Sequence, residues 1–99
     1  MEKKQWIITK TNSETPEVVF YKFVGTVNEL KSKILHMAQS CSAAEELLEN
    51  DDEGYPDDID CIEFDEDNQT AFIDVTCCDG DEVFTAKALA AIDFVLLED

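Results

Sequence analysis

Apolar residues cluster in "QWIITKT" (5–11) and again in "EVVFYKFV" (17–24), two runs rich in β-branched and aromatic residues on either side of the polar "NSETP". That composition predicts two strands, and the short polar break predicts a hairpin with an irregular loop. Pro16 stands at the entry to the second strand, where no ladder hydrogen bond is needed.

A helical period follows. Val27, Leu30, Ile34, Met37, Ala38 and Cys41 recur at helical spacing and predict a helix over 27–41. Thr26 and Glu29 form a T-x-x-E box ahead of it, in which hydroxyl and carboxylate each satisfy an otherwise unpaired amide. Ser42 and Glu45 repeat the signal, so either the helix runs on to about Asn50 or a second short helix begins at Ser42 after a bend. Gly54 and Pro56 stop it, and "NDDEGYPDD" reads as a loop.

Strand patterns return in "IDCIEFD" (59–65), "TAFIDVTC" (70–77) and "VFTAKAL" (83–89), separated by "EDNQ" and by "CDGDE", whose Asp79-Gly80 pair signals a tight turn. In the tail "AAIDFVLLED", Leu89, Ile92 and Leu96 fit a helical stripe, whereas Ile92, Phe94 and Leu96 fit a strand; a short helix is the expectation. The order is a β-hairpin, a central helix and a three-stranded β-meander. It predicts a single α+β domain over 1–99, with an antiparallel sheet and the helix packed on one face.

Charge changes the picture. Twenty-four Asp and Glu against seven Lys and no Arg give a formal charge of -17, in a chain that is still 44% hydrophobic. A disordered acidic chain would be poorer in apolar residues, so the acid is carried on a fold. Six of the seven Lys lie in the first 33 residues, and Leu47 to Phe84 contains none. Such asymmetry points to an interaction surface for a basic partner, and it disfavours nucleic acid or acidic lipid as direct ligands.

Alternation along the later strands places Glu63, Asp65 and Asp74 on the face opposite Ile62, Phe64, Ile73 and Val75. The loops extend that field through Asp51, Asp52, Glu53, Asp57 and Asp58 on one side and Asp79, Asp81 and Glu82 on the other. A rigid array of carboxylates could occupy a Lys/Arg-lined channel in place of nucleic acid, with long-range steering toward it. Tyr55 and Phe72 are candidate aromatic anchors if exposed, although core packing is the more ordinary fate of Phe72.

Other chemistry finds little support. The segment "ENDDEGYPDDID" (49–60) partly matches a calcium loop, but Pro56 and Glu49 depart from the pattern and a strand follows it. Cys41, Cys61, Cys77 and Cys78 include no C-x-x-C and read as reduced, mostly buried thiols; His36 falls off the helical stripe and reads as a surface residue. No nucleophile motif or Gly-rich phosphate loop stands out, so the expectation is no enzyme, no cofactor and no bound metal. With no apolar run long enough to span a bilayer and no signal-peptide core, the chain reads as cytoplasmic.

At its opening, "KKQWIITKTNSETPEVVFYKFVGT" followed by a capped helix, the chain resembles small acidic proteins of gram-positive bacterial mobile elements and prophages. In charge and size it also resembles anti-CRISPR and anti-restriction proteins, many of which imitate DNA. The second resemblance implies a partner class, a nucleic-acid-binding enzyme, and assigns no residue. Two alternatives remain at this point: a generic acidic interaction domain, and an immunity protein that neutralises a basic toxin.

Overall fold

The computed structural model describes residues 3–49, 55–77 and 80–92. Its five strands are β1 (Lys4–Asn12), β2 (Val18–Gly25), β3 (Glu63–Asp65), β4 (Thr70–Cys77) and β5 (Gly80–Ala88). They form one antiparallel sheet in the order β2-β1-β5-β4-β3. Two helices, α1 (Val27–Gln39) and α2 (Ser42–Glu49), complete the α+β architecture. The expected tail beyond Ile92 lies outside the described residues; Leu89–Ala91 form a single 3₁₀ turn.

Period-two alternation divides the sheet into two faces. One rung of paired residues runs Tyr21, Ile8, Ala86, Ala71, Phe64 across all five strands. Trp6, Ile8, Phe84, Ala86, Ala71, Ile73 and Val75 share that face and join Leu30, Ile34 and Ala38 of α1 and Ala43, Ala44 and Leu47 of α2 in one buried cluster. The i, i+4, i+8 spacing of Leu30, Ile34 and Ala38 makes a single stripe on α1, so burial of that stripe sets its rotation over the sheet. Full burial of a large apolar side chain such as Phe84 contributes about 1.5 to 3 kcal/mol.

Local chemistry fixes the joints. The Thr26–Glu29 box forms as expected: the Thr26 amide donates to Oε1 of Glu29 at 2.9 Å and the Glu29 amide donates to the Thr26 hydroxyl at 3.2 Å. The indole N–H of the fully buried Trp6 donates to the Gly25 carbonyl at 3.0 Å, tying β1 to the end of β2. A Cβ on Gly25 would stand 2.7 Å from the Phe23 ring and 3.2 Å from Glu29 Cβ, so the chain can enter α1 this closely only through glycine.

Three expectations need correction. Residues 59–61 form a 3₁₀ turn rather than the start of a strand, because the Asp58 carboxylate accepts the Asp60 amide at 3.1 Å and draws the backbone into a local turn. Only Glu63–Asp65 remain extended in β3. Of the two alternatives at Ser42 the separate second helix is the one that forms, but Ser42 is its first residue rather than its cap, and the Glu45 amide goes to the Cys41 carbonyl at 3.1 Å. The third concerns Glu82. β5 begins at Gly80, so Glu82 shares the inward parity of Phe84 and Ala86 and is buried.

Candidate functional site

The face turned away from the helices carries the rung Phe20, Thr9, Thr85, Phe72, Glu63. At its β3–β4 end, Glu63 lies directly opposite Phe72, Asp65 is opposite Thr70, and Asp74 follows Phe72 on the same side of β4. Same-face neighbours on one strand stand roughly 7 Å apart, and directly opposed Cβ atoms about 5 Å. Three carboxylates thus surround one aromatic ring, and all four side chains are exposed, Phe72 at 37%. A shallow depression of about 540 Å³ lies here, walled by Glu63, Asp65, Thr70, Phe72 and Lys87.

The β3–β4 turn is built by Asp65. Its carboxylate accepts the Asp67 amide at 2.9 Å, the Asn68 amide at 3.3 Å and the Asn68 side-chain amide at 2.8 Å. Those donors, the Asn68 side chain foremost, hold the Asp65 carboxyl below its ordinary value, with the Lys87 ammonium adding to the effect. Gln69 closes the turn with a positive φ of 51°. Its side chain donates to the Glu66 carbonyl at 2.7 Å and accepts from Lys4 Nζ at 3.0 Å. Asp74 accepts the Thr76 hydroxyl at 3.2 Å and otherwise faces solvent.

The remaining acids scatter. Asp57 and Asp58 are exposed on a loop that packs on the helix side: the Pro56 carbonyl accepts the Gln39 side chain at 3.1 Å and the turn that follows contacts α1. Asp81, at the start of β5, stays with the open face: it pairs opposite Thr76, next along β4 from Asp74 on that side, and is half-buried, its amide donating to the Ser13 hydroxyl at 2.9 Å. Asp51, Asp52, Glu53 and Asp79 lie outside the described residues. Residues 50–54 of the segment considered for calcium do too. Among the described residues no group of three His, Cys, Asp or Glu is placed to hold a metal ion.

Glu82 leaves the expected surface altogether. Its Oε2 accepts the Ala43 amide at 2.8 Å and its Oε1 faces Lys10 Nζ at 3.5 Å. Burial alone would raise this carboxyl, but the Ala43 amide, the Cys41 thiol and Lys10 outweigh it and hold it below its ordinary value. The neighbouring Cys41 thiol is pushed up to about 11, chiefly by burial.

Of the two candidate anchors, Tyr55 packs against the core, whereas Phe72 is exposed rather than packed in the core as its ordinary fate would have it. Lys87 joins the site: it pairs opposite Thr70 and places a cation within the acidic end. The alternation T85-A86-K87-A88 carried that signal, since Lys87 shares the parity of Thr85. His36 is exposed, as its place off the helical stripe implied, and among the described residues no helix is long and apolar enough to cross a membrane. Compared with known proteins, the chain matches no family model, no curated protein and no solved structure.

Proposed function

We propose that this chain is a non-catalytic protein-binding module that presents Glu63, Asp65, Asp74 and the ring of Phe72 to a basic face of a nucleic-acid-binding protein, occupying it in place of nucleic acid. The observation that carries this reading is the exposed aromatic ring of Phe72 with a carboxylate directly across from it and others one step along each strand. A large ring can supply the desolvated anchor of an interface, and surrounding charges steer approach and select a cationic partner. The formal charge of -17 extends that steering well beyond contact. The rest of the open face offers the hydroxyls of Thr9, Thr11, Thr70, Thr76 and Thr85, with Lys22, Lys87 and Asp81 as its other charged side chains.

Affinity capture tests the reading. The full chain is immobilised beside its E63Q/D74N variant and exposed to nuclease-treated lysate, then eluted with salt steps and with competing DNA. Selective retention of a nucleic-acid-binding protein by the parent chain, released by both eluents, is the expected result. Equal retention by chain and variant would remove the β3–β4 face from the interface. Selective retention of a lone basic toxin would instead assign the face to immunity.

A further inference from the structure

The two edges of the sheet are treated in opposite ways. β3 is only three residues long and carries Glu63 and Asp65, both standard means of blunting an edge against another strand. β2 runs for eight residues, contains no acid and has a single Lys. It is apolar on both of its faces, a composition suited to a central strand, yet it pairs with β1 alone. Among the described residues, five of the eight large apolar side chains that remain exposed belong to it: Val18 (49%), Val19 (39%), Phe20 (70%), Tyr21 (40%) and Val24 (57%).

We propose that the outer edge of β2 is a self-association surface, where β2 of a second copy pairs antiparallel across a two-fold axis and continues the sheet to ten strands. The occupant is a second copy for reasons of charge and pattern. Chains of formal charge -17 repel strongly wherever their acids meet. The acidic β3 edge lies four strand spacings from β2, about 19 Å. That is more than two Debye lengths of about 8 Å at physiological salt, so two copies meeting at β2 keep those carboxylates out of each other's range.

The strand is also self-complementary. With the axis at Tyr21, Val18 of one copy lies opposite Val24 of the other and Phe20 opposite Lys22, all on the open face. Lysine beside an exposed aromatic ring is a favourable cation–π arrangement. The backbone groups along the outer edge of β2 gain ladder partners in the same step.

Salt separates this inference from the acidic-face reading, because the two respond with opposite signs. Raising salt from about 0.1 M to about 1 M shortens the Debye length from about 10 Å to about 3 Å. Self-association between like-charged chains should therefore tighten, while acid-to-base partner binding weakens. Sedimentation equilibrium on the full chain should give twice the monomer mass at high micromolar concentration, with a dissociation constant that falls as salt rises. F20K and V24K, at highly exposed positions that leave the core untouched, should give a monomer with unchanged far-UV circular dichroism, whereas E63Q/D74N should still associate. A chain that stays monomeric at every salt and concentration overturns the proposal. So does a dimer that survives F20K/V24K, or one that dissociates as salt rises.

Discussion

Glu82 accepts the amide of Ala43 at 2.8 Å from inside the core, so a carboxylate on β5 occupies the first turn of α2. An acid at a helix start satisfies a free N–H and opposes the positive end of the helix dipole, here in partial isolation from water. E82A leaves the Ala43 amide without its acceptor and should cost about 2 to 3 kcal/mol. E82Q keeps an acceptor and should cost about 1 kcal/mol. The Glu82 carboxyl lies below its ordinary value when folded, so its contribution is complete above the unfolded value of about 4.3 and is lost as pH falls through the folded one. The stability gap between the parent chain and E82Q, from urea titrations, should be level near neutrality and close in acid.

The thiols should differ in reactivity. Cys41 is buried beside Glu82 with its thiol pushed up to about 11, whereas Cys61 is exposed. At a pH below both values, Cys41 holds on the order of a hundredfold less thiolate than an ordinary cysteine. Iodoacetamide followed by peptide mapping should modify Cys61 in the native protein and reach Cys41 only on unfolding.

Asp65 has a structural duty that its exposed neighbours lack. D65N loses a charged acceptor for three donors from Asp67 and Asn68, while E63Q and D74N remove charge from positions held by no backbone amide. The urea midpoint should fall for D65N and hold or rise for the other two. An equal response from all three would mean that the turn does not depend on the carboxylate.

Phe72 is the proposed anchor. F72A should leave the fold in place, because the ring lies on the open face, but should weaken partner binding by tenfold or more, about 1.4 kcal/mol or above. Calorimetric titration with the captured partner reads the affinity, and the fluorescence of the single Trp6, buried in the core, reports that the fold is intact.

Legibility followed the strength of the local signal. The stripe from Val27 to Ala38 and the Thr26–Glu29 box specify α1 without help from the rest of the chain, and the alternation of Ala71, Ile73 and Val75 specifies β4. Two features escape the pattern: the 59–61 turn, because the Asp58 hydrogen bond that makes it is local, and buried Glu82, because a carboxylate in an acidic stretch reads as surface unless its parity is weighed. Glu82 continues the inward register of Phe84, Ala86 and Ala88, and only the pairing of β5 with both β1 and β4 makes that register binding. The position of β2 could not be read from its residues, because two-sided apolarity describes a central strand as well as an adhesive edge.

The pairing of β1 with β5 joins Trp6 to Ala88 and Thr9 to Thr85 at the middle of the sheet. During synthesis the β1–β2 hairpin and α1 can form from local contacts, but the inner face of β1 has no neighbour on one side until β5 leaves the ribosome. Trp6 and Ile8 therefore lack their lateral neighbours Ala88 and Ala86 until nearly the end of synthesis. Contacts this distant in sequence slow folding toward the millisecond-to-second range. Assembly of the core is consequently a late and cooperative event, and a nascent chain halted before Gly80 would be a substrate for chaperones rather than a folded fragment.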